Sequence, residues 1–312
     1  MSIAKILKQN FKNINELEKI LKTNQDCIRF LEELIWEGIP VSPFDRSSKV
    51  YKCKNGRYKC KNTGKYFTVL TGSIFENAKL PILTWFRAIY FVITLRKGVP
   101  STTLANMLGV TQKTAWFMLQ KIRKAMEVEN NHKLEGIVEA DEFVAGGLLK
   151  NMHYDKKLQA KQKGSYQNKT PLHGMVERNG NAVINVVPNT EADVLNAKIL
   201  KHVKIGSTLY TDENQGYKRI SHFYNHDYVV HSKGKYVEGN VFTNTIECVW
   251  ATLARTLNTY IRVSRKFLQN YANECVFRYN TRKMKHIDAC IWLLQNIAST
   301  KVTWKEIQLG QY

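Results

Sequence analysis

The stretch Ile137-Val138-Glu139-Ala140-Asp141-Glu142-Phe143-Val144-Ala145 decides how the rest of the chain is read. It has the composition of a strand, and period-two alternation puts Glu139 and Asp141 on one face and Glu142 on the other. Ile137 and Val138 supply a buried lead-in, so Asp141 is the expected metal ligand, with Glu142 either supporting it or lying at the surface. Two other segments end on acids. Leu209-Tyr210-Thr211-Asp212 is a short apolar strand closing on Asp212. Asn244-Thr245-Ile246-Glu247 opens a long helical pattern, with Asn244 and Glu247 three apart on one face. Trp250, three further on, reads as packing. Carboxylates gathered from distant segments suit divalent cations that prefer oxygen ligands, such as Mg²⁺.

The charge balance sets these acids apart from surface dressing. The 312 residues carry 47 Lys+Arg against 26 Asp+Glu, a formal net charge of +21, and the pI is near 9.6. Such a chain implies a polyanionic partner, nucleic acid before anionic membrane. A hydrophobic fraction of 44% excludes wholesale disorder. Lys5, Lys8 and Lys12 interrupt any signal-peptide pattern, and the apolar run Leu80 to Leu95 contains Arg87 and is too short to span a bilayer. Six cysteines without pairing rhythm suggest a reduced, cytoplasmic protein.

Helical periodicity covers residues 1–40. Residues 41–75 mix Tyr51, Tyr58, Tyr66 and Phe67 with Lys, Asn and Gly, as in small β-hairpins. Residues 76–130 hold an apolar helix and then a helix-turn-helix pattern. There Ser101 or Thr102 caps the first helix, Gly109 makes the turn and Thr111 caps the second helix. Gln112, Lys113, Lys121 and Arg123 on that second helix are candidate DNA contacts. Residues 127–134 read as a linker. A catalytic domain over 135–312 follows: a strand at 137–144, a hairpin over 172–187 turning at Asn179-Gly180, a helix at 192–202, strands at 208–211 and 228–231, then helices from 245 to 257 and 266 to 281. This is the order of an RNase H-like α/β domain. Lys150 to Lys169 reads as a basic insertion. The fold class expected is α/β, an RNase H-like domain preceded by a helix-turn-helix region and a small β-hairpin. Metal-dependent phosphoryl transfer on DNA is the matching chemistry, with Asp141 bridging two ions and Asp212 and Glu247 each completing one side.

Further segments carry a family resemblance: Phe30-Leu31-Glu32-Glu33-Leu34-Ile35-Trp36, Val69-Leu70-Thr71-Gly72-Ser73-Ile74-Phe75, Lys113-Thr114-Ala115-Trp116-Phe117-Met118-Leu119 and Phe277-Arg278-Tyr279-Asn280-Thr281-Arg282, in order with the acidic segments above. The chain resembles DDE transposases of bacterial insertion sequences, in the branch related to Merlin elements, which joins a zinc ribbon, a helix-turn-helix and an RNase H-like domain. The resemblance implies Mg²⁺-dependent cleavage at element ends, with Mn²⁺ as a substitute, and joining of the freed 3′-hydroxyl to target DNA. Double-stranded DNA is the implied partner and a homodimer or larger assembly on it the implied form, with no membrane partner. Asp141 and Asp212 map onto the first two catalytic acids and Glu247 onto the third, with Asn244 as a competitor.

Three departures stand out. The first zinc knuckle aligns with Ser42-Pro43-Phe44-Asp45, and in the second Cys60 remains while its partner is Thr63. A degenerate, zinc-free ribbon held by its aromatics is therefore expected. The family's lysine seven residues after the third acid is Ala254, leaving Arg255 beside it as a DNA-contact candidate. Phe242 stands where a histidine commonly precedes Thr-Asn.

Overall fold

Asn13 and Thr23 start the first two helices in the way their side chains favour. In the computed structural model Asn13 accepts hydrogen bonds from the backbone of Asn15 and Glu16 at the head of α1 (Ile14–Ile20). Thr23 and Asp26 form a reciprocal capping box on α2 (Asn24–Trp36). The structure describes residues 13–146, 169–212, 215–229, 242–261, 263–297 and 300–310, with Ile3, Ile6, Leu7, Tyr154, Asp155 and Leu158 besides. The expected insertion at 150–169 therefore lies almost wholly outside the described residues.

Next comes a sheet of three short antiparallel strands, β1 (Val50–Lys52), β2 (Tyr58–Cys60) and β3 (Tyr66–Phe67). Its inner face, Tyr58, Cys60 and Phe67, packs on Trp36 and Val50. The ring centroids of Tyr58 and Trp36 are 4.9 Å apart. Burial pushes the Cys60 thiol up, but hydrogen bonds with Ser42, Ser48 and Thr63 outweigh it and bring the thiol down to about 6. All six cysteines are free thiols.

Helices α3 (Ile82–Thr94), α4 (Ser101–Leu108) and α5 (Gln112–Ala125) follow. Gly109 closes α4 at φ 66°, a left-handed conformation that favours glycine. Thr111 accepts from the Thr114 backbone at the start of α5. The expected Ser101 or Thr102 cap is not formed, because α4 begins at Ser101 behind Pro100. Leu104, Ala105, Ala115, Leu119 and Ile122 form the inner face, and Val110 is half-buried.

Residues 127–282 make a second unit, together with 310–312, and its centre is a five-stranded mixed sheet. The strands are β4 (Ile137–Ala145), β5 (Thr170–Glu177), β6 (Ala182–Val186), β7 (Thr208–Asp212) and β8 (Asn225–Val229), with α6 (Ala192–His202) between β6 and β7. Their order is β6-β5-β4-β7-β8, antiparallel from β6 to β4 and parallel from β4 to β8. Leu172, Val176 and Ile184 face Ile246, Val249 and Leu253 of α7 (Asn244–Thr259) and Ala272 and Cys275 of α8 (Leu268–Asn280). Val138, Ala140, Met175 and Val183 face Leu195 and Ile199 of α6 and Tyr217 of the 3-10 helix Gln215–His222. The sheet is a covered layer, as alternation along β5 demands.

Two expectations change. The last strand is Asn225–Val229 rather than 228–231, and Val230 and His231 lie outside the described residues. Residues 283–309, expected within the C-terminal domain, cluster instead with residues 1–126. There α9 (His286–Ile297) packs on α2, α3 and α5, and α10 (Trp304–Leu309) packs on α5.

Candidate metal centre

Parallel pairing of β4 with β7 runs from Ile137↔Thr208 to Glu139↔Tyr210. Continuing that register by two residues sets Asp141 level with Asp212. Carboxylate oxygens of Asp141, Glu142 and Asp212 all lie within 4.8 Å of one another. The two aspartates were read from the sequence, but Glu142 was expected on the far face. Asp212 closes its strand, and a side chain at a strand end is open to groups from both faces of its neighbour. The Tyr217 hydroxyl donates a hydrogen bond to Glu142. Asp141 is not at a strand end, since β4 continues to Ala145 and pairs with β5 beyond it.

Asp141 is half-buried and accepts a 2.9 Å hydrogen bond from Trp250 Nε1. Burial pushes its carboxyl up to about 6; Asp212 and Glu247 add to the rise, against the Glu142 backbone and Trp250 hydrogen bonds. Asp141 has no cationic side-chain partner among the described residues. An all-oxygen cluster around a carboxylate held short of charge compensation fits a divalent cation. Trp250, read as packing, both packs and positions: its ring stacks on Phe143 at 5.3 Å and lies across β5 at Gly174. Gly174 pairs with Asp141, and a Cβ there would stand 2.4 Å from the Trp250 ring. Only glycine admits the indole.

Glu139, which the sequence reading left without a role, holds the head of α7. Its buried carboxylate accepts from the backbone N–H of Thr245 (2.8 Å) and Ile246 (3.0 Å) and from Thr245 Oγ1 (2.8 Å). Arg178 Nε donates to it at 2.7 Å. Thr243, the residue before the helix, makes no capping bond. Anionic oxygen from the sheet therefore satisfies donors at the helix start and favours its positive end. Arg178 also donates to the Phe242 carbonyl, and its guanidinium lies 3.5 Å from the Phe242 ring centroid. That contact gives the phenylalanine at this position a packing role. The available signal was a buried-strand glutamate matched to Thr245 and Arg178.

Glu247 and Asn244 are exposed in the first turn of α7. Glu247 raises Asp141 electrostatically but is not within the 4.8 Å group. Of the candidate DNA contacts, Gln112 and Lys113 are exposed; Gln112 donates to Ser101 Oγ, and the Lys113 ammonium lies 5.7 Å from the Trp304 ring centroid. Lys121 and Arg123 are buried, contrary to expectation. The Lys121 ammonium donates to the Ile74 carbonyl at 2.7 Å, its stem inside the packed face of α5. Arg255 is exposed and donates to Thr252 Oγ1, and Ala254 is half-buried.

The strand-borne acidic cluster with a helix docked beside it lies within a segment that has known relatives. Residues 133–280 match the family model described as the ISXO2-like transposase domain. This segment resembles the transposase domains of insertion sequences. The chain is 27% identical over 267 residues to an uncharacterized protein in transposable element ISH50 of Halobacterium salinarum, covering 81% of this chain and 90% of that one. Among solved structures, a chain of the Mos1 strand transfer complex is 10% identical, with TM-score 0.22 and coverage of 93% and 95% of the two chains. A chain of a pre-cleavage Mos1 transpososome is 11% identical, with TM-score 0.20 and coverage of 94% and 97%. Neither likeness bears on the fold. No described helix is long and apolar enough to cross a membrane.

Proposed function

We propose that the protein is an active transposase, which cuts DNA at the ends of its element and joins the freed 3′-hydroxyl to target DNA. The observation carrying this reading is the convergence of Asp141, Glu142 and Asp212 within a segment of the transposase family. The strand order β6-β5-β4-β7-β8, with acids on the two central parallel strands, supports an RNase H-like architecture. Asp141 and Asp212 hold divalent metal, with Glu142 or Glu247 completing the set. Bound Mg²⁺ or Mn²⁺, two ions in this proposal, supplies Lewis-acid polarisation of the attacking and leaving oxygens. Trp250 keeps the Asp141 carboxylate turned to the cluster, and Glu139 anchors the helix that carries Glu247. The reaction is a transesterification: a 3′-oxygen–phosphorus bond forms, and the target's bond from phosphorus to its own 3′-oxygen breaks. Helices α4 and α5 form a helix-turn-helix whose first recognition turn offers Gln112 and Lys113 to duplex DNA.

Strand transfer by purified protein on DNA carrying the element's ends, with Mg²⁺ or Mn²⁺, tests the proposal. Joined product that disappears in Asp141→Asn and Asp212→Asn supports it. Cleavage without joining points to a nuclease. Binding with neither reaction supports a transposase-derived DNA-binding protein, the reading favoured by Ala254 standing where the resembled family has a lysine. Glu247→Gln and Asn244→Ala then assign the third catalytic residue by which one abolishes joining.

A further inference from the structure

The small sheet of the N-terminal unit has a second face. Strand register pairs Tyr51 with Lys59 and Lys59 with Tyr66, so these three form one row across the sheet, opposite the buried Tyr58, Cys60 and Phe67. Tyr51 is 44% and Tyr66 56% exposed. The Lys59 ammonium lies 5.6 Å from the Tyr66 ring centroid, and that of Lys49 lies 5.6 Å from the Tyr51 centroid. From Arg46 to Phe67 the chain carries two arginines, six lysines and no acid. All but the half-buried Lys59 are exposed, and none is ion-paired with a described carboxylate. The acid just before this stretch, Asp45, directs its carboxylate to Ser47 and Asn62, and Glu32 accepts from the Tyr58 hydroxyl of the buried face.

Eight positive charges on the strands and turns of so short a stretch repel one another, which costs stability unless a polyanion offsets them. Solubility alone does not call for two exposed tyrosines in register between lysines. Phosphates are the complement of the ammonium groups, and sugar and base surfaces are the complement of the rings. The buried face, tied down by the Trp36 cluster and the Cys60 hydroxyl bonds, keeps the row in place.

We propose that the outward face of this sheet is a DNA-binding surface, with the lysines on backbone phosphates and Tyr51 and Tyr66 against sugars and bases. The choice of DNA over RNA rests on the proposed transposase function; the surface itself does not. The test measures binding of the full chain to duplex DNA in EDTA, where no metal-dependent reaction occurs. Replacing Lys49 and Lys61 together by alanine, both exposed and on the outward alternation, is expected to weaken binding and to lower the slope of log K against log salt by roughly 0.9 for each phosphate that is no longer neutralised. Tyr51→Ala with Tyr66→Ala is expected to weaken binding about tenfold, with Tyr51→Phe and Tyr66→Phe retaining most of it. All positions changed are exposed, and thermal melting verifies that each variant is folded. Unchanged slope and affinity in both alanine variants overturn the proposal. Preference for RNA that depends on the same residues overturns the choice of DNA. A parent that fails in strand transfer while these variants lose DNA binding removes the transposase function and leaves this surface in place.

Discussion

Asp141 holds a charge that its surroundings resist. Its carboxyl is raised to about 6 by burial and by the acids beside it, so the folded chain binds this proton more tightly than the unfolded chain. Stability contributed by the protonated form is therefore lost as pH rises from about 4 through 6, by about 3 kcal/mol for a shift of roughly two units. Added Mg²⁺ is expected to raise the melting temperature strongly at pH 7.5 and weakly at pH 5, where protons compete; equal shifts at both pH values, or none, would refute this. Gly174→Ala is expected to displace Trp250, cost about 1–3 kcal/mol as overpacking and reduce strand transfer, read by denaturation and by the joining assay. Asp141 and Asp212 were legible because each follows apolar residues of a strand, Asp141 within its strand and Asp212 at the end of its own. Glu142 was not, because alternation describes the middle of a strand and says little about reach where the neighbouring strand stops. Lys121 and Arg123 misled because a helical pattern does not tell a buried cationic stem from a solvated one.

At the scale of the element, α7 starts where Glu139 places it. Glu139→Ala leaves Arg178 and two helix N–H groups without their buried acceptor and is expected to cost roughly 3–5 kcal/mol. Glu139→Gln retains hydrogen-bonding capacity but loses the charge, and is expected to keep the fold while weakening Mg²⁺ binding through displacement of Glu247. Calorimetric titration of the folded variant checks this, and unchanged affinity would make Glu139 a purely structural clamp. The elements themselves were largely readable. Helix α6 and the β5–β6 hairpin lie where period and turn residues put them, because each has a strong local signal. The final strand was read three residues late because the 3-10 helix before it has no clear period. The clamp was not readable, since it joins residues 106 apart in the chain.

Over the whole molecule, the second unit contains opposing pH responses. Burial depresses His173 to about 3; burial and neighbouring Lys201 depress His202 to about 4. Both are neutral when folded and take up protons on unfolding below about 6.5, so their contribution is lost as pH falls through that window. Between about 4 and 6 Asp141 works in the opposite sense and cancels part of this loss. Asp141→Asn is therefore expected to steepen acid destabilisation by about 1.4 kcal/mol per pH unit, measured by urea denaturation in metal-free buffer; an unchanged slope would exclude Asp141 as the compensating group. The division of the chain was only half legible. Composition marked the junction near residue 127, whereas the return of residues 283–309 to the N-terminal unit depends on packing that no local pattern encodes.

The hydrogen bond from Trp250 to Asp141 also makes the site observable. The six tryptophans are Trp36, Trp85, Trp116, Trp250, Trp292 and Trp304, and residues 127–282 contain only Trp250. Its indole N–H is bonded to the carboxylate whose charge changes with protonation or cation binding. Subtracting the emission of Trp250→Phe from that of the parent isolates this one fluorophore, a built-in optical probe that reports occupancy of the acidic cluster without a substrate or a dye.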